Sequence, residues 1–426
     1  MKKRFILFLS FIIVFQLSNA QDFNSYFEDA SLRFDYFHSG NSKSEWFSHD
    51  QIRKEPYWGG SKINLIDTFN FGDYKFEVKN KADNKLIYSR GYSSLFGEWI
   101  YTDEAKEINR TFSESIIIPY PKNEIILIIY KRQKSDNKFI EVYKTEINPK
   151  DIQIKKDLNI KQKAFKIHDS GKPEHKLDIV ILAEGYTQVE IQKFMNDATR
   201  FKNHLFENQP FDTLQNYINV WAVPLVSNES GTDIPGEDIW KETALNTQFY
   251  TFDSERYLNS FDNKKIRDAA ANAPYDQIYL LVNTDKYGGA GVYNFYSTCT
   301  SDNEGSEFVF VHEFGHAFAG LGDEYYTSDV AYKDLYNLEN EPWQPNITSL
   351  KDFDSKWKHL CDSITPIPTP SDKEYLDKVG AFEGAGYLEK GLYRPVYDCS
   401  MKSVVENNYC PVCRRAFYDM LMFYSK

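Results

Sequence analysis

Glu307-Phe-Val-Phe-Val-His-Glu-Phe-Gly-His-Ala-Phe-Ala-Gly-Leu-Gly-Asp-Glu-Tyr325 is the stretch from which the rest of this chain is read. Its apolar approach run predicts a helix with one side buried. At 3.6 residues per turn, His312 and His316 stack on one face of that helix. Two imidazoles so placed can share one Zn²⁺, with Glu313 beside them as general base for a water that the metal activates. Tetrahedral zinc with two histidines and a water lacks one ligand. Asp323 and Glu324 follow Gly320-Leu-Gly322, where glycines let the chain leave the helix and fold back. Asp323 is the favoured third ligand and Glu324 the alternative; the carboxylate that does not bind would make helix-end hydrogen bonds.

Upstream of this helix the pattern is strand, helix, strand, helix, strand. Leu177–Ala183 reads as a buried strand ending at Glu184-Gly185. Val189–Phe206 carries Ile191, Phe194, Ala198, Phe201 and Leu205 at helical spacing. Asn219–Val226 and Gln277–Asn283 read as further strands, with a helix expected around Arg256–Ala271. This alternation predicts an α/β catalytic unit with a mostly parallel, twisted sheet.

Residues 21 to about 150 read differently. Tyr74–Lys79 alternates apolar and polar, turns at Ala82–Lys85 and continues at Leu86. Ile125–Tyr130 and Phe139–Tyr143 flank Lys134–Lys138, a second hairpin signal. The aromatic share of 16% suits strands, where rings pack across the sheet. A β-sandwich is expected here, and the Lys-rich stretch from Asn148 to about His175 is read as a linker or joining strand. The expected organisation is a signal peptide (1–20), an N-terminal β-sandwich (21–160) and a metallopeptidase unit (161–426), α+β overall. His38 and His49, with no ligand partners at suitable spacing, read as satisfied or surface residues.

The leader has a basic head (Lys2-Lys-Arg4), an apolar run (Phe5–Phe15) and a small residue at Ala20. Cleavage near Ala20 and export of a chain starting at Gln21 are therefore expected. No later segment is apolar enough to span a bilayer, and a formal charge of −12 argues against nucleic-acid binding. Oligomeric state is not legible. All five cysteines, Cys299, Cys361, Cys399, Cys410 and Cys413, fall in the C-terminal third. Export favours one or two disulfides among them. Cys410-Pro-Val-Cys413 could also be half of a zinc site, but no second pair stands at suitable spacing.

The run His312–Tyr325 resembles the zinc motif of the bacterial immunoglobulin A peptidase family of metallopeptidases, within the metzincin-like group. The resemblance extends to Leu177–Tyr186, Tyr287–Gly291, Glu383–Gly386, Tyr393–Pro395 and Cys399–Lys402, and takes in an N-terminal β domain. It implies that Asp323 is the third ligand and that Met401 lies in a turn beneath the metal. Metzincins generally have glycine three and the third ligand six residues after the second histidine; here Ala319 and Gly322 stand there, and Gly320 and Asp323 come one later. Ser403 stands where some metzincins place a tyrosine after the turn methionine.

The reading that follows is a secreted zinc endopeptidase acting on a protein or peptide. Its rivals are an exported glycan- or protein-binding protein with a structural zinc helix, and a zinc amidase or carboxypeptidase. Gly288–Gly291 is read as either a backbone ledge for an extended substrate or a plain loop, and Arg394 and the Glu383 loop as candidate cleft walls.

Overall fold

The computed structural model describes residues 22–326, 335–404 and 408–425. The leader and its cleavage point lie outside the described residues. The N-terminal half is built from β1 (Phe27–Gly40), β2 (Glu45–Glu55), β3 (Tyr74–Asn80), β4 (Leu86–Tyr92), a short helix α1 (Leu95–Trp99), β5 (Arg110–Pro121), β6 (Ile125–Arg132) and β7 (Phe139–Ile147). Two antiparallel sheets result, ordered β2-β1-β5 and β4-β3-β6-β7. Both hairpins read from the sequence are present, because alternate residues such as Tyr74, Phe76 and Val78 bury one face. These meet Leu32, Phe34, Tyr36, Ile116 and Ile118 of the other sheet in one core. His38 is buried between Glu114 and Glu45, at 3.1 and 3.3 Å, so it is a satisfied core histidine. His49 is exposed and stacks on Phe34.

The C-terminal half centres on a six-stranded sheet. Its strands are β8 (Phe165–His168), β9 (Leu177–Glu184), β10 (Ile218–Val223), β11 (Gln277–Val282), β12 (Gly289–Val292) and β13 (Tyr296–Thr300), in the order β12-β13-β11-β9-β10-β8. The inner four run parallel and both edge strands antiparallel. All eight residues of β9 are buried, as a central strand covered on both faces requires. The amphipathic helix α2 (Ile191–Glu207) buries Phe194, Ala198, Phe201 and Leu205.

One expectation needs correction. The helix expected around Arg256–Ala271 is only α3 (Asn263–Ala270), because Asn259–Ser260 pairs with Thr247–Gln248 as strand. Of the two readings of the Lys-rich stretch, a strand is present: β8 pairs with β10 and closes one edge of the sheet.

The two halves share apolar and ionic contacts. Leu95, Phe96, Trp99 and Phe112 belong to the C-terminal core rather than to that of the sandwich. Arg33, fully buried, binds Glu55 at 2.9 Å and reaches Asp268 of α3 at 2.7 Å. A buried guanidinium must be paired in this way, since an unpaired one would lose its hydration without compensation.

Candidate metal centre

The helix α4 (Ser306–Ala319) follows β13 and lies against β12, and His312 and His316 project from it on one face. The imidazole Nδ1 of His312 is 2.9 Å from the Ser400 carbonyl, and that of His316 is 2.7 Å from the Leu321 carbonyl. A carbonyl only accepts, so both Nδ1 atoms donate, which leaves each Nε2 as the ring atom available to a metal. The two Nε2 atoms stand 3.1 Å apart.

Helix α4 ends at Gly320, whose φ of +64° is the left-handed conformation glycine adopts without penalty. The Gly320 and Leu321 amides bond back to the His316 and Gly315 carbonyls. The chain then reverses and delivers Asp323 Oδ1 to 3.1 Å from His312 Nε2 and 3.3 Å from His316 Nε2. Asp323 is 5% exposed and its Oδ1 makes no hydrogen bond of ordinary geometry, so the two imidazoles are what this buried oxygen faces. The three donor atoms form a near-equilateral triangle. Its edges match the ~3.3 Å expected when N and O ligands sit about 2.0–2.1 Å from one tetrahedral ion. Burial alone would raise the Asp323 carboxyl, but the His316 and His312 imidazoles hold it well below the usual carboxylate range. Burial opposes charge on His316 too, yet Asp323 lifts it to about 10. The cluster thus favours positive charge at its centre, and its donors fit a divalent metal.

Glu324 points elsewhere. It is fully buried and accepts from Asn346 Nδ2 at 2.9 Å, while Cys413 Sγ is 3.3 Å away. Asn346 also holds both backbone groups of Gly322, at 2.7 and 2.8 Å, so one side chain clamps the reversal. Tyr387 donates its hydroxyl to Asp323 Oδ2. The sequence reading missed Asn346 and Tyr387, which lie far along the chain with no local motif to mark them.

Met401 is fully buried beneath Gly315. At Gly289 a Cβ would stand 2.6 Å from Val309 and at Gly291 2.2 Å from the Glu313 carbonyl, so these glycines let β12 lie directly on α4. The ledge reading fails at Gly289, whose N–H and C=O already pair with Arg256 and Leu258. Arg394 is no cleft wall either. It is 2% exposed and its guanidinium is spent on the Glu383, Gly384 and Tyr397 carbonyls.

A cleft of about 420 Å³ opens over His312, Glu313, His316 and Asp323. Asp73, Ser93 and Glu98 of the N-terminal half and Arg256, Tyr257, Tyr287 and Ser403 of the C-terminal half line it. Burial raises the Glu313 carboxyl, against the lowering effect of His312 and His316.

The family model described as IgA Peptidase M64 matches residues 165–378 and 371–421, and that described as Peptidase M64 N-terminus matches residues 22–144. No curated protein matches the chain.

Proposed function

The chain belongs to the IgA peptidase M64 family and is a metallopeptidase acting on protein, and on that premise we propose that it is an exported zinc endopeptidase whose metal is held by His312, His316 and Asp323 and whose general base is Glu313. One observation carries the reading: three donor atoms, mutually 3.1–3.3 Å apart, converge at the floor of a cleft with Glu313 on the same helix. When bound, the metal supplies a Lewis acid that acidifies a water and polarises the scissile carbonyl. Glu313 takes the proton of the attacking water and hands it to the departing amine. The Ser400 and Leu321 carbonyls fix the two imidazole tautomers, and Tyr387 turns Asp323 so that Oδ1 faces the histidines. A carboxylate between two ligand histidines has no use in a closed structural site, which speaks against the binding-protein reading.

We place the catalytic unit at residues 161–426, the β unit at 21–160 and leader cleavage near Ala20. Among the described residues no helix is long and apolar enough to cross a membrane. Digestion of a proteome-derived peptide library, with and without chelator, tests the whole. Internal cleavage abolished by chelator and restored by zinc is expected; an intact library, or trimming only from peptide ends, rejects it.

A further inference from the structure

Beside the cleft, and separate from it, four buried side chains that the proposed reaction does not use converge. The sulfurs of Cys399, Cys410 and Cys413 and a carboxylate oxygen of Glu324 all lie within 4.8 Å of one another. We propose that they form a second, structural metal site of Cys₃Glu type, suited to zinc.

None of the three cysteines is bonded to another, contrary to the disulfides that an exported chain leads one to expect. Cys399 and Cys413 Sγ stand 3.9 Å apart, and Cys413 Sγ is 3.3 Å from Glu324 Oε1. A tetrahedral zinc with Zn–S of about 2.3 Å and Zn–O of ~2.0 Å has edges of roughly 3.8 Å between sulfurs and ~3.5 Å between sulfur and oxygen. The spacing is that of a coordination shell.

Three further features point to a cation. Glu324 is 0% exposed, and its Oε2 has no hydrogen-bond partner. An acid oxygen sealed from water and left unpaired costs free energy that a metal would recover. Two of the three sulfurs accept from backbone amides: the Cys410 amide points at Cys399 Sγ at 3.3 Å and the Cys413 amide at Cys410 Sγ at 3.4 Å. Amides aimed at sulfur stabilise thiolates, the form that binds metal. Cys410 and Cys413 also flank the first turn of α5 (Pro411–Ser425), where the helix dipole favours negative charge.

The ligands come from three segments that meet nowhere else in the sequence. Glu324 adjoins Asp323, Cys399 precedes the turn that carries Met401, and Cys410-Pro-Val-Cys413 opens the C-terminal helix. Glu324 N–H donates to the Met401 carbonyl at 2.8 Å, binding the first two segments directly. A metal here would staple the loop that bears Asp323 to the floor beneath α4. The inference shares the metal chemistry of the proposed function but uses none of its ligands, so the two fail separately.

Elemental analysis of purified full-length parent, His316→Ala and Cys413→Ser decides it. Two zinc ions per chain are expected in the parent and one in His316→Ala. Cobalt loaded into His316→Ala should show thiolate-to-metal charge-transfer absorption in the near ultraviolet. Cys413→Ser should lose one zinc; if it does not fold, the count and spectrum of His316→Ala stand without it. A His316→Ala protein that holds no metal and gives no thiolate–cobalt band overturns the proposal. So does a disulfide joining any two of Cys399, Cys410 and Cys413 in unreduced exported protein. A parent with a single zinc that survives in His316→Ala upholds this site and rejects the catalytic one.

Discussion

Gly315 and Met401 are complementary: a Cβ built on Gly315 would lie 2.9 Å from the Met401 sulfur, so the thioether occupies the space that any side chain at that helical position would need. The glycine inside the His-Glu-Phe-Gly-His motif is therefore a packing requirement of the turn beneath the helix.

Gly315→Ala gains about 1 kcal/mol of helix propensity. It also crowds Met401 Sδ, Leu321 Cδ1 at 3.2 Å and the Tyr409 hydroxyl at 3.2 Å. Overpacking of a filled core costs roughly 1–3 kcal/mol, so the net change should be a loss. Met401→Leu, which conserves volume, should cost less than about 1.5 kcal/mol. Thermal unfolding of the two variants checks the order; a Gly315→Ala protein more stable than the parent would show that the space is not filled.

Glu313→Gln and Asp323→Ala should separate proton transfer from metal binding. Glu313→Gln is expected to keep its zinc and its fold while peptide cleavage falls by at least ~100-fold. Asp323→Ala should lose zinc and cleavage together, because its Oδ1 lies against both histidines. Zinc content measured beside activity distinguishes them, and equal zinc loss in both would void the assigned roles.

Tyr387→Phe removes the hydroxyl that Asp323 Oδ2 accepts from, without emptying the ring's space. Loss of a partner that orients a ligand typically weakens metal affinity by about 10–100-fold. Chelator competition on the folded variant reads this directly, and an unchanged zinc affinity would leave Tyr387 with no positioning role.

His38 should make the N-terminal half less stable as pH rises. Burial opposes its charge, but Glu114 and Glu45 raise its pKa above 6.5 in the folded protein. A folded value above the unfolded one gives stabilisation that is complete below about pH 6.5 and is lost as pH climbs through the folded value. Glu45, partly buried but held low by His38 and Lys131, adds stability above pH ~4.5 that is lost on acidification. Melting temperatures at about pH 6 and pH 9 should fall more steeply for the parent than for His38→Gln; parallel slopes would refute the linkage.

The sequence alone determined what depends on local periodicity. The i, i+4 spacing put His312 and His316 on one face, alternation marked β3, and turn residues between apolar runs marked β4, β6 and β7, because a side chain's direction within an element follows from that element's repeat and a reversal needs turn residues. The displacement of Gly320 and Asp323 by one residue was visible too, and it follows from a helix that runs to Ala319 before its glycine turn. Only the tertiary structure decided which way the two adjacent carboxylates face. Asp323 meets the histidines and Glu324 meets Asn346 and Cys413, a choice made by the packing of distant segments. The gathering of Cys399, Cys410, Cys413 and Glu324 was equally illegible, since Glu324 reaches the cysteines through a chain reversal and not through a repeat. Residues joined only by folding leave no spacing in the chain, for their proximity is fixed by burial and hydrogen bonding after the elements assemble.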